Sequence, residues 1–103
     1  MTIENREDER KPFFAEIFLE FASGKRQARV SDISAGGCYV ESIISVHIGD
    51  EIRFEFVDPS GDLPPFTGQV AYYFDGMGFG VKFTDLTDEQ TEFLQKITGD
   101  AKA

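Results

Sequence analysis

Cysteine, histidine and tryptophan are almost missing from these 103 residues, which hold one Cys, one His and no Trp. A single thiol, Cys38, cannot form a disulfide within the chain, and such usage fits a reducing, cytoplasmic setting. One imidazole, His47, and one thiol give neither a metal set nor a nucleophile pair at a workable spacing. His47 reads as a surface turn residue and Cys38 as a small strand residue. No apolar run approaches the roughly 18–20 residues that span a bilayer, so membrane insertion is not expected. The opening MTIENREDERKP lacks the apolar stretch of a secretory signal. Cations are scarce as well: 10 Lys and Arg stand against 19 Asp and Glu, for a net charge of −9. Proteins that track a phosphate backbone carry a basic face, so a nucleic-acid polymer is not an expected partner. A small anionic ligand needs only a few local cations. No carboxylate stands in an apolar window that would raise its pKa for acid–base work. GMGFG lacks the Lys-Ser/Thr ending and the following helix of a phosphate loop. The expectation is a protein that is not an enzyme and carries no metal or cofactor.

Apolar residues are plentiful, at 41% of the chain with eleven Phe, enough for one core in one domain. FFAEIFLEF alternates, with Phe13, Ala15, Ile17, Leu19 and Phe21 on one face and Phe14, Glu16, Phe18 and Glu20 on the other. That period of two marks a strand with one buried side. A turn at ASGK leads to RQARVSDI, with Ala28 and Val30 inward. CYVES is a short strand and HIGDE a turn around Gly49. EIRFEFV alternates again at Ile52, Phe54 and Phe56. After the turn-rich DPSGDLPP, TGQVAYYF pairs across DGMG with FGVKF as a hairpin in which Gly76 and Gly78 can take positive dihedrals. Only the end is helical. Thr87 and Gln90 form a capping box, Asp88 and Glu89 suit the positive helix start, Gly99 suits the stop, and Phe93, Leu94 and Ile97 make the apolar stripe. The sum is an all-β fold, a six-stranded antiparallel β-barrel with one C-terminal α-helix that caps or flanks it. Residues 1–12 form a flexible arm, 13–99 a single barrel domain with its helix, and 100–103 a tail.

Two stretches are not core. Arg6 and Arg10 are spaced i, i+4 in ENREDERKP, so one helical turn, or a bend around a ligand, brings both guanidiniums to one side. A guanidinium grips phosphate oxygens or the O6/N7 edge of guanine through two parallel bonds. The same residues read equally as a solvated, salt-bridged tail. In DISAGG, Asp32 can accept from the N1–H and N2–H₂ donors of guanine, Ser34 offers a hydroxyl, and Gly36 and Gly37 let a planar base approach the backbone. Equally, this is a strand-end turn whose Asp32 and Ser34 bond nearby backbone.

Together, RxxxR at Arg6–Arg10 followed by DxSxxG at Asp32, Ser34 and Gly37 resembles the signature of PilZ domains, which bind the bacterial second messenger cyclic di-GMP. HIGDEIRFEF is similar to the middle turn and strand of that family and GFGVKF to its closing strand. The resemblance implies a six-stranded barrel with a C-terminal helix. It implies that Arg6 and Arg10 grip guanine edges and phosphates as the arm closes, that Asp32 and Ser34 fix a guanine on the barrel with Gly36 beside them in the ligand site, and that Gly37 keeps the bend open. The implied partners are cyclic di-GMP and a downstream protein effector, with motility, exopolysaccharide or surface attachment as outputs. One departure is the acid-rich arm (Glu4, Glu7, Asp8, Glu9), which repels a dianionic ligand. A PilZ-shaped adaptor without a nucleotide is the alternative.

Overall fold

The computed structural model describes residues 11–57 and 63–98. Arg6, Arg10, Gly99 and the segment 100–103 lie outside the described residues. Six strands follow in order: β1 (Lys11–Phe21), β2 (Gly24–Ile33), β3 (Gly37–Glu41), β4 (Glu51–Phe56), β5 (Phe66–Phe74) and β6 (Gly78–Thr84), then helix α1 (Asp88–Thr98). All pairings are antiparallel, and the sheet closes in the order β1-β2-β3-β6-β5-β4. Closure leaves no free edge to template pairing with another chain.

Alternation fills the barrel as the sequence dictates. Ile17 and Leu19 of β1, Val30 of β2, and Ile52 and Phe54 of β4 are buried. Phe54 stacks on Phe66 at 5.5 Å, and Phe56 meets Phe66 edge-on at 5.4 Å. Full burial of each such ring is worth about 1.5–3 kcal/mol, so these aromatics dominate the core. Leu94 of α1 joins them, and Phe93 lies 5.5 Å from Phe56, so the helix closes one end of the barrel.

The helix start is a reciprocal capping box. The Thr87 N–H donates to Gln90 Oε1 at 2.9 Å and the Gln90 N–H to Thr87 Oγ1 at 3.1 Å. Gln90 Nε2 also donates to the carbonyls of Pro64 and Pro65, tying the loop before β5 to the helix. At the far end, Gly76 has a φ of +79° in the β5–β6 turn, which a side chain resists.

Plain alternation fails at two kinds of place, and both shape the outer wall. The first strand begins at Lys11, two residues earlier than the pattern suggests, so Pro12 pairs with Asp32. And β-bulges interrupt the ladders between Val30 and Asp32 and between Val70 and Tyr72, with a further irregularity between Pro12 and Ala15 in the β1–β2 ladder. Each bulge sets two steps of one strand against one step of its partner and so resets which face later residues occupy. Counted from Val30, Asp32 would fall on the core face; after the bulge Ile33 is buried and Asp32 is only half-buried.

Candidate functional site

The bend after β2 is built by one hydroxyl. Ser34 is 1% exposed, and its Oγ accepts from the N–H of Gly36 at 3.1 Å and of Gly37 at 3.2 Å. The Ser34 N–H in turn donates to the Gly37 carbonyl at 2.8 Å. Gly36 and Gly37 do not use positive φ; what the turn needs is close approach. A Cβ on Gly37 would collide with the Val81 carbonyl oxygen of β6. Gly36 stays exposed, and its carbonyl accepts from the Phe83 N–H at 2.9 Å. The structure therefore places Ser34 inside the bend as its brace, with Asp32 and Gly36 at its surface.

From Asp32 a single rung crosses five strands. Pro12 of β1 pairs with Asp32 of β2, Asp32 with Tyr39 of β3, Tyr39 with Gly80 of β6, and Gly80 with Tyr72 of β5. The bulge at Ala71 turns Tyr72 to the outer face, where Tyr39 and Tyr72 stack with centroids 6.2 Å apart and planes inclined by 21°. Phe74, 53% exposed, adjoins Tyr72 at 5.6 Å and Tyr39 at 6.4 Å. The rings lie on a glycine bed. A Cβ at Gly80 would penetrate the Tyr72 ring, and one at Gly78 would stand 2.8 Å from the Tyr39 hydroxyl. This explains why Gly78, Phe79, Gly80 and Val81 are all buried: Phe79 and Val81 face the core, while rings cover the glycines outside. Burial first, then Tyr72, Glu41 and Asp32, push the Tyr39 phenol above its ordinary value, so it stays a neutral hydrogen-bond donor near neutrality.

Beside the rung, Arg29 donates to Glu41 at 2.8 Å, and its guanidinium lies 5.9 Å from the exposed Phe14 ring. The hydrogen bond from Arg29 holds the Glu41 carboxyl below its ordinary range. Sequence reasoning singles out Asp32, Ser34, Gly36 and Gly37, which the structure joins in one bend, but it misses Tyr39, Tyr72 and Phe74. Two signals were available: AYYF breaks alternation with adjacent tyrosines, and GFG spaces small residues on one face of β6. A concavity of about 530 Å³ between the β3–β4 loop and Tyr73 and Asp75 contains none of the bend or rung residues. Among the described residues no cluster of His, Cys, Asp and Glu could hold a metal, and no helix is long and apolar enough to cross a membrane.

The comparison with family models decides the kinship, because the PilZ domain model matches residues 4–99. The chain belongs to the PilZ domain family. The match takes in both the segment with Arg6 and Arg10 and the bend with Asp32 and Ser34. Solved structures share the fold. The Bacillus subtilis inhibitor of motility, MotI/DgrA, superposes with a TM-score of 0.72 at 14% identity, over 92% of this chain and 49% of that one. This chain thus spans about half the length of the Bacillus protein. The PilZ domain of CeSA from a cellulose-synthesizing bacterium gives 0.63 at 17% identity, over 88% and 96%. An uncharacterized Legionella protein gives 0.52 at 14% identity, over 88% and 90%. No curated protein matches the sequence. PilZ domains are receptor and adaptor domains.

Proposed function

We propose that this PilZ domain is a cytoplasmic receptor for cyclic di-GMP that clamps the dinucleotide between its arm and the outer wall of its barrel. The observation that carries this reading is the rung. It places a carboxylate and two stacked phenol rings side by side, and its first member, Pro12, is two residues from Arg10. A guanine needs such a set: an acceptor for N1–H and N2–H₂, which Asp32 supplies, and flat apolar faces, which Tyr39 and Tyr72 supply. Base–aromatic stacking contributes about 1–3 kcal/mol per base. Arg6 and Arg10 bring the cations that the phosphates require, and Ser34 acts through the bend it braces. Ordering of the arm then changes the surface offered to a protein partner. The fold likeness to an inhibitor of motility and to a domain from a cellulose-synthesizing bacterium supports motility or exopolysaccharide as the regulated output.

Calorimetric titration with cyclic di-GMP tests the reading. The wild-type chain is expected to bind with micromolar or tighter affinity, and Asp32→Ala to bind at least about tenfold more weakly, the scale of one hydrogen bond to a charged group. Absence of heat at high-micromolar ligand overturns it. It would favour instead an adaptor without nucleotide, the reading that the four arm acids Glu4, Glu7, Asp8 and Glu9 support.

A further inference from the structure

We infer that Lys82 is a further ligand residue of this site, a cation on the barrel wall that binds a phosphate of the nucleotide. The inference rests on the receptor reading and assigns a contact to a residue outside both sequence motifs.

Three observations carry it. Lys82 is exposed on β6 and lies in register with Gly37 of the bend on one side and with Gln69 of β5 on the other. It shares its face with Gly80, two residues before it in the strand, so its side chain rises next to the Tyr39–Gly80–Tyr72 rung. Directly opposed and diagonal cross-strand neighbours sit within about 5–8 Å, inside the reach of a lysine side chain. Secondly, Gly37 carries no side chain opposite Lys82, while the Tyr72 ring covers Gly80, so the ammonium can reach over the bend toward Asp32 or along the edge of that ring. Thirdly, three other cations of the barrel strands are held in ion pairs, and Arg26 sits beside the β1–β2 turn, at the opposite end of the barrel from Lys82. Arg29 and Arg53 are each paired with the glutamate directly opposite on the neighbouring strand, Glu41 and Glu20, and Lys25 reaches across β1 to Glu55. Among the described residues Lys82 has no such partner, although the chain has nearly two acids for every base.

A base stacked on Tyr39 and Tyr72 with its polar edge at Asp32 leaves its sugar–phosphate side toward the solvent edge of the rings. Lys82 stands two residues along β6 from Gly80, which the Tyr72 ring covers. An ammonium is a compact point charge suited to a phosphate oxygen rather than to bidentate base readout. In an acidic protein, one fixed cation beside the ring platform also offsets the repulsion that the arm acids exert on the same phosphates.

The experiment is calorimetric titration of cyclic di-GMP into wild-type, Lys82→Ala, Lys82→Arg and Lys25→Ala chains at low and at raised ionic strength. Lys82→Ala is expected to weaken binding by about tenfold at low salt, with the deficit shrinking as salt screens the contact, and Lys82→Arg to stay within about threefold of wild type. Lys25→Ala makes the same change in net charge at the opposite end of the barrel and is expected to leave affinity unchanged. Unaltered affinity in Lys82→Ala overturns the inference while the receptor reading stands, and so does an equal loss in Lys25→Ala, which would reduce the effect to bulk charge. A wild-type chain that gives no heat overturns both together. All three substitutions change exposed side chains, and matching thermal unfolding curves establish that the fold is intact.

Discussion

A serine that the motif marks for recognition is, in the folded chain, occupied with its own backbone. The Ser34 hydroxyl oxygen stands in for a turn carbonyl and accepts two N–H groups at once, one of them from the buried Gly37. Its removal leaves two donors without that acceptor, and an unmet buried donor costs about 1–3 kcal/mol. Ser34→Ala is therefore expected to lower stability by that amount in urea unfolding followed by circular dichroism, and to weaken ligand binding less than Asp32→Ala does. Unchanged stability would show that the bend holds without the hydroxyl. Gly37 and Gly80 make a related point: each is required by what passes close to it, a carbonyl in one case and a phenol ring in the other.

Among the elements, the β2–β3 ladder joins charge to position. Arg29 and Glu41 are cross-strand partners, and the hydrogen bond from Arg29 keeps the Glu41 carboxyl below its ordinary range. A carboxyl whose folded-state pKa is depressed adds stability above its unfolded pKa and loses it as pH falls through the folded value. Glu41→Gln should accordingly be slightly less stable than wild type at neutral pH, with the difference vanishing on acidification. The effect is small because the two side chains are 56% and 39% exposed, and water screens such pairs. Thermal melts of both chains across the acid range check the sign. Helix α1 was legible down to its cap, since Thr87 and Gln90 lie three residues apart and need no distant partner to declare themselves.

For the molecule as a whole, the two halves of the proposed clamp differ in kind. One half is the barrel wall, fixed by a closed sheet; the other is the segment carrying Arg6 and Arg10, which runs into β1 at the rung. Arg6→Ala and Arg10→Ala are each expected to weaken cyclic di-GMP binding by at least about tenfold, on the scale of a charge-assisted hydrogen bond. Amide NMR of residues 1–10 should change on saturation with ligand in the wild-type chain. Affinities equal to wild type in both variants would remove the arm from the site. The strand count and the closed architecture could be anticipated, because short alternating segments between regular turns leave few other ways to bury a core this rich in phenylalanine. Where β3 would lie could not: it pairs with β6, some forty residues away, rather than with β4, its successor in sequence.

The sequence alone determined what depends on near neighbours. The period of two, the turn residues, the capping box and the Ser34 brace of the bend are short-range patterns whose physics is complete within a few residues. Tertiary structure alone decided which of those residues meet. Bulges near Ser31 and Ala71 reset the faces of Asp32 and Tyr72, and the β3–β6 pairing laid Tyr39 and Tyr72 over glycines and set Lys82 beside Gly37. The physical reason is that register and strand order are set by packing between segments far apart in the chain, where a single extra residue in one ladder exchanges inside for outside.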